Sequence, residues 1–542
     1  MKNFKKLACL LLALTMAMAC AACGGSGSTG TTAAAGSDSA AATTAAPLDA
    51  AAAAEAEHMQ IELTTAPVGM HPNKTNDAPS TYVNGQIFET LYRRTVDGTA
   101  YEPLLAADMP EFSEDGLTAT IPLRQGVTFQ DGTPFTSADV GYMIDSLKDP
   151  DYGSQRPSIV ETIESYECPD DNTIVLHLAY SDGVLIAKLA HTNGAIVNAK
   201  LEQAGQDFMV DATGAGTGPY SFVSMVSGAT YELQANENYW GGAPEVKQVT
   251  FTVVADEATA IARLQTGEAD FAPVLSADSY NTISNIAGYT AANEPASSIY
   301  YLALRSDDTA LNPLMKESDF RKMILESVDW NAYCDAMLEG KATHSESIVG
   351  PTLVGYTPEM ENAGCGYNLE DAKKLVADNG WEGQTVTMLY PSGRQWAENV
   401  FIYIQSELSK IGITVEPKPE EWATFLADAK TDNYFDFCIL SWSNVTGDGQ
   451  QMLEPNFSTK NGARVKYNNA EFDGYVDDSA KTTVQSEREA AMLKAVQKIQ
   501  GDNIVRPLYS ANQIYCYNSA KYANVVLDKG GQFDLGAITI NK

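Results

Sequence analysis

The chain predicts a mixed α/β fold organised as more than one domain, and three observations carry that reading. Apolar spacing switches repeatedly between a period of two and a period near 3.6, the sign of alternating strand and helix layers. About 485 residues follow Glu57, too many for a single hydrophobic core. Hydrophobic residues make up 44% of the sequence, ordinary for a globular protein, and no stretch beyond the N-terminus reaches about eighteen uninterrupted apolar residues.

Residues 1–22 read as a secretory leader. Lys2, Lys5 and Lys6 give a basic start, and Leu7 to Ala19 is an apolar run too short to span a bilayer comfortably. The leader ends Ala21-Ala22-Cys23-Gly24-Gly25-Ser26, which resembles a bacterial lipoprotein processing site with Cys23 as the lipidated residue; Cys20 is the competing candidate. Such an anchor implies the extracytoplasmic face of the cell membrane. Residues 23–57 are almost entirely Gly, Ala, Ser and Thr, a composition that buries too little apolar area to offset its ordering entropy. As a flexible coil that tether spans on the order of 30 Å.

Further along, Tyr101 to Val140 reads YEPLLAADMPEFSEDGLTATIPLRQGVTFQDGTPFTSADV. Leu117 to Leu123 alternates as a half-buried strand, Asp115-Gly116 and Asp131-Gly132 are turn pairs, and Thr136 or Ser137 caps a helix starting near Ala138. Strand patterns follow at Glu232 to Ala235, Val249 to Val254, Thr385 to Tyr390 and Ile413 to Pro417. Helices are expected after Asp256 up to Gly267, after Asn368 up to Gly380, over Ala397 to Ile411, and over Ser486 to Ile499 with Met492, Val496 and Ile499 on one face.

The formal charge is −35, which argues against nucleic acid and anionic headgroups as partners. Cysteines 168, 334, 365, 438 and 516 are odd in number and widely scattered, so no disulfide framework or metal cluster is expected. The five histidines, at 58, 71, 177, 191 and 344, lack metal-ligand spacing. HExxH, GxSxG and Walker sequences do not occur, and Gly214-x-Gly216-x-Gly218 runs into Pro219-Tyr220, unlike a dinucleotide fingerprint. No cofactor, metal or enzymatic activity is expected.

The Tyr101–Val140 wording closely resembles the peptide/nickel-type solute-binding proteins of bacterial ABC importers. GTGPYSF (Gly216 to Phe222), NENYWGGAPEVKQVTFTVVADEATAIARLQTGEADF (Asn236 to Phe271) and LNPLMKESDFRKMILESVDW (Leu311 to Trp330) continue the likeness, which covers about Glu62 to Tyr517. The resemblance implies a two-lobed periplasmic-binding-protein-like fold of the large peptide-binding type. Lobe I would be residues 58–302 with 505–542, lobe II residues 303–504, and the crossovers would fall near Tyr300 to Leu304 and Asn503 to Leu508. It implies a monomeric, non-catalytic receptor that takes a di- to oligopeptide from solution and hands it to ABC permease subunits. Oligosaccharides, modified amino acids and nickel complexes are the other solutes of this fold, and a secreted hydrolase or a chemosensory receptor are the rival classes.

By the same resemblance the contact segment is Cys438 to Phe457, CILSWSNVTGDGQQMLEPNF. Asp448 matches a family aspartate that pairs with a ligand's α-ammonium; a turn-shaping role is the alternative. Gly449, Gln450 and Gln451 replace the acidic continuation usual in that branch, which leaves the ligand class open. Trp442, Asn444, Thr446 and Gly447 belong to the same loop. Arg394 is the candidate for a peptide carboxylate, since a guanidinium bonds both oxygens; the alternative is an ordinary exposed arginine at a helix start. Trp396, Trp422, Tyr300 and Tyr301 would supply apolar walls, or core. Asn76 and Asp77 resemble a first-lobe loop that meets ligand backbone.

Overall fold

Residues 50–444, 446–461 and 465–541 are described by the computed structural model. The leader, Cys23 and the tether up to residue 49 lie outside them. The end of the segment expected to stay unstructured does not: Ala50–Ala56 is a helix, and Ala56 is buried in the same core as Met59 and Ile61. The ion pair of Lys521 with Glu55, at 3.1 Å, fastens it further.

Twelve strands form one large mixed sheet. In chain order they are β1 (His58–Leu63), β2 (Tyr220–Val226), β3 (Thr230–Ala235), β4 (Gln248–Val253), β5 (Phe271–Leu275), β6 (Thr290–Pro295), β7 (Ser298–Leu304), β8 (Ala342–Thr343), β9 (Thr385–Pro391), β10 (Thr414–Glu420), β11 (Phe437–Ser443) and β12 (Val505–Tyr517). Across the sheet the order is β10-β9-β11-β7-β12-β5-β1-β4-β3-β2, with β6 and β8 also pairing with β12. The strand patterns read at 232–235, 249–254, 385–390 and 413–417 fall on β3, β4, β9 and β10, and the expected helices appear as Glu257–Thr266, Leu369–Asn379, Gln395–Ser409 and Gln485–Gly501.

The half of the sheet around β7, β9 and β11 is covered on both faces. Leu302, Leu304, Val386, Met388 and Ile439 enter one core, while Tyr301, Ala303, Leu389, Cys438 and Leu440 enter another. Burial on both sides explains why these strands read as continuous apolar runs, without the alternation of a half-buried strand. The other half, around β1, β4 and β5, packs over a third core that includes Ile61, Phe251 and Phe271.

One strand serves both halves. The first residues of β12 pair with β7, from Ala303↔Val505 to Tyr300↔Tyr509. Its later residues pair with β6, from Pro295↔Asn512 to Thr290↔Tyr517. Partners therefore change between Tyr509 and Asn512, and the chain passes between halves at Pro295 to Ser298. The residues expected to mark the crossings, 300–304 and 503–508, lie in β7 and around the start of β12, a few positions inside the second half.

The Tyr101–Val140 block and the residues that follow it form their own layer. Glu111–Phe112, Thr118–Pro122, Ile163–Asp170 and Thr173–Leu178 make a four-stranded antiparallel sheet. Against it packs the helix Ser137–Lys148, opened by a capping box in which the Thr136 N–H donates to Asp139 at 2.9 Å. Where the chain turns back after the helix Ala78–Ile87, Glu89 is buried and accepts hydrogen bonds from Thr217 (2.7 Å), Tyr239 (2.7 Å) and Trp240 (2.9 Å). Burial without a cation pushes the Glu89 carboxyl up to about 7, against the pull of those three donors.

Candidate functional site

Strands β9, β10 and β11 run parallel to one another, so their carboxyl ends share one edge of the sheet. In open α/β sheets that edge is where ligands bind, because strand ends and helix starts leave polar groups and space there. Three of the predicted segments leave from it. Arg394 and Trp396 follow β9, Trp422 follows β10, and the loop 444–448 follows β11. The Ser392 N–H donates to the Glu420 carbonyl at 2.7 Å and ties the first two exits together.

Arg394 is exposed and precedes the fifteen-residue helix Gln395–Ser409, whose start has no side-chain cap. Its guanidinium carbon lies 4.3 Å from the ring centroid of Trp422, a cation–π contact that holds the head group over the edge. Trp422 in turn stacks on Phe425, with centroids 5.5 Å apart. Trp396 is half-buried and meets Tyr300 edge-on at 4.9 Å, and Tyr300 stacks on Tyr509 at 4.6 Å. Burial raises the Tyr300 hydroxyl above its ordinary pKa, and the nearby Arg394 charge opposes that rise. Two contacts thus lie near this edge, Arg394 on Trp422 and Trp396 on Tyr300, and the Arg394 charge is close enough to act on the Tyr300 hydroxyl. Tyr301 faces away from these contacts: its hydroxyl donates to Asn456 at 3.1 Å inside the core. Trp442 sits opposite Ile299 in the β7–β11 register and is half-buried against the core that holds Tyr301.

The loop after β11 is different in kind. The Asn444 side chain donates to the Asp448 carbonyl at 2.6 Å and accepts from the Gly447 N–H at 2.9 Å. The Thr446 hydroxyl donates to the Asn444 side-chain oxygen at 3.2 Å and accepts from the Asp448 N–H at 3.3 Å. Gly447 takes φ +77°, and a Cβ there would stand 2.0 Å from Nη1 of Arg94, so only glycine fits. The Tyr101 hydroxyl donates to the Thr446 carbonyl at 2.9 Å; burial first, and then the Asp448 charge, keep that hydroxyl protonated far above its usual range.

Asp448 itself is 0% exposed. Nη2 of Arg488 donates to both of its oxygens at 2.9 Å, and the Gln450 N–H donates to Oδ1 at 3.0 Å. In this structure the counter-charge on Asp448 is the Arg488 guanidinium. The physical reason is that a buried carboxylate needs a counter-charge, and the helix Gln485–Gly501 supplies it from within the chain. Arg488 was legible in principle. It stands four residues before Met492 on the face that carries Val496 and Ile499, and an arginine on an apolar stripe requires a buried partner.

In the first half, Asp77 caps the helix Ala78–Ile87, accepting from the Ser80 N–H at 2.9 Å, and Asn76 accepts from Arg156 at 3.2 Å. Asp77 thus shapes its own helix start, and Asn76 ties its loop to Arg156. Sequence reasoning missed Arg94 and Tyr101, which lie on the two-stranded pair Tyr92–Arg94 and Tyr101–Pro103 and reach the 446–448 loop. Among the described residues, no group of His, Cys, Asp and Glu side chains is arranged to hold a metal ion, and no helix is long and apolar enough to cross a membrane.

A profile of the bacterial extracellular solute-binding proteins, family 5 (middle region), matches residues 100–464, more than half of the chain. Heme-binding protein A of Haemophilus influenzae is 26% identical over 468 residues, covering 80% of this chain and 83% of that protein. The oligopeptide-binding protein AppA of Bacillus subtilis is 26% identical over 463 residues, covering 81% of this chain and 83% of AppA. The solved structure of HbpA2 from Haemophilus parasuis superimposes with a TM-score of 0.80 at 21% identity, over 90% of this chain and 100% of that one. The fold is therefore the two-lobed type of periplasmic binding proteins.

Proposed function

Because the chain belongs to family 5 of the bacterial extracellular solute-binding proteins, a family of binders and not of enzymes, we propose that it captures short peptides between its two lobes and delivers them to an ABC permease. The observation that carries this reading is the convergence of Arg394, Trp422, Trp396 and Tyr300 at the carboxyl edge of β9–β11. A peptide's terminal carboxylate finds there an exposed guanidinium pre-oriented by an aromatic ring and the uncapped N–H groups of a fifteen-residue helix. The aromatic faces give the peptide's side chains apolar area without demanding one residue type. The name of the relative AppA, an oligopeptide-binding protein, supports the same class of solute.

In this reading the lobes close about two strand connections, Pro295 to Ser298 and the Tyr509 to Asn512 stretch of β12, where the pairing partners change. Closure removes water from the edge and strengthens each polar contact made there. Trp442 and the loop Asn444, Thr446, Gly447 form the rigid side of the cleft, with Asp448 fixing the loop's shape. Asn76 and Asp77 hold the facing loop of the first lobe. Cys23, lipidated at the mature N-terminus, tethers a monomeric receptor to the outer face of the membrane.

The test is native mass spectrometry of the full chain incubated with a mixture of di- to nonapeptides. The expected result is retention of peptides with unchanged masses. Peptides returned cleaved would mark a hydrolase, and no retained peptide at all would move the protein to another solute.

A further inference from the structure

The loop at the family's ammonium-binding position is electrically closed. Both oxygens of Asp448 accept from Arg488, a third donor comes from the Gln450 N–H, and the carboxylate has no surface of its own. Asn444, Thr446 and Gly447 satisfy one another, and Tyr101 occupies the Thr446 carbonyl. Positions 449 to 451 are Gly, Gln and Gln, so no second acid follows. A ligand ammonium reaching this loop would find no free anion.

It would also meet a like charge. The Arg94 side chain is 7% exposed, and its Nη1 lies against Gly447. That nitrogen has no hydrogen-bond acceptor among the described residues, and Nη2 is 3.9 Å from the Asp528 carboxylate, beyond a hydrogen bond. A buried guanidinium nitrogen without an acceptor favours an oxygen-bearing group beside it and disfavours a second cation. Two carboxylates at and just after the end of β10 are engaged locally. Glu420 accepts from Tyr434 at 2.5 Å, and Glu421 caps its helix through the Ala423 N–H at 2.9 Å.

We infer that Arg488, by holding both oxygens of Asp448, makes the site indifferent to a peptide's amino terminus, so that amine-blocked peptides are taken as readily as free ones. Selection then rests on the carboxylate end, through Arg394. The inference rests on the peptide-binding reading above. Arg488 is a specificity-determining residue that acts through Asp448 and does not itself touch ligand.

The experiment is a competition on the full chain. Equimolar pools of random tripeptides, one with free termini, one N-acetylated and one C-amidated, are offered together, and retained species are counted by native mass spectrometry. Free and N-acetylated peptides are expected to be retained within about twofold of each other, and amidated ones depleted by about tenfold or more. A preference of about tenfold for the free amine over the acetylated form overturns the inference while leaving peptide binding intact. Retention from no pool overturns the peptide reading itself.

Arg488→Gln exposes the role directly, because it leaves Asp448 without its guanidinium. The free-amine pool is then expected to gain about tenfold over the acetylated one, and an unchanged ratio counts against the role of Arg488. Should that variant lose its folded circular-dichroism melt, the double change Asp448→Asn with Arg488→Gln removes both charges together. Its free-to-acetylated ratio is expected to match that of the unaltered chain, and a shift of about tenfold would mean that the native pair does read the amine.

Discussion

Asp448 and Arg394 leave the carboxyl ends of neighbouring parallel strands and finish in opposite circumstances. Asp448 is fully buried, paired with Arg488 and braced by a loop whose polar groups satisfy one another. Arg394 is exposed, uses its charge on the face of Trp422, and stands at a helix start without a side-chain cap. The difference teaches that two charged residues leaving one strand edge can be satisfied in opposite ways, one by a buried counter-charge and one by an aromatic face in contact with solvent. The first region is closed architecture, its charges satisfied within the chain. The second is open to solvent.

The most severe way to break this contrast is Arg488→Met. Removing one partner of a buried ion pair strands the other, and the expected loss is about 3–5 kcal/mol, read from the urea midpoint. An unmoved midpoint would mean that water reaches Asp448, and the two regions would no longer differ.

Glu89 sharpens the contrast, being a carboxylate buried with neutral donors and no cation. Its folded pKa of about 7 lies above the ordinary 4.5. Its contribution to stability is therefore complete below pH 4.5 and is lost as pH rises through 7, a difference of about 3 kcal/mol. Glu89→Gln is expected to flatten the stability–pH profile across that window. A profile that keeps its slope would assign it to another group.

Gly447→Ala probes the closed loop at smaller scale. The backbone at φ +77° and the contact with Arg94 together are expected to cost about 1–2 kcal/mol or somewhat more in thermal unfolding. Arg394→Ala is the mildest for stability, at most about 1 kcal/mol, because an exposed cation–π contact is all that is lost. A larger loss would place Arg394 with the architecture.

Much of the fold was legible in the residues. The capping box at Thr136 and Asp139, the Asn368 cap and the Gly380 stop are local signals, and local signals fix helix ends regardless of tertiary context. The grouping of Arg394, Trp422 and the 444–448 loop on one edge was also foreseeable from the family's motif order. What stayed hidden was pairing at long range. Arg488 lies forty residues from Asp448, and Arg94 meets Gly447 across the chain, so no local pattern joins either pair. The helix Ala50–Ala56 was unreadable for a related reason. Its low-complexity sequence predicts disorder, and it is the buried Ala56 and the Lys521–Glu55 pair that hold it.

The central claim, that the open region grips a peptide by its carboxylate, is tested most directly by titration calorimetry with one retained peptide and its C-amidated twin, in the unaltered chain and in Arg394→Ala. The expected result is a loss of about 10–100-fold for the free acid on removing Arg394, with the amide changing by less than about twofold. Equal losses for both peptides, or none for either, would contradict it.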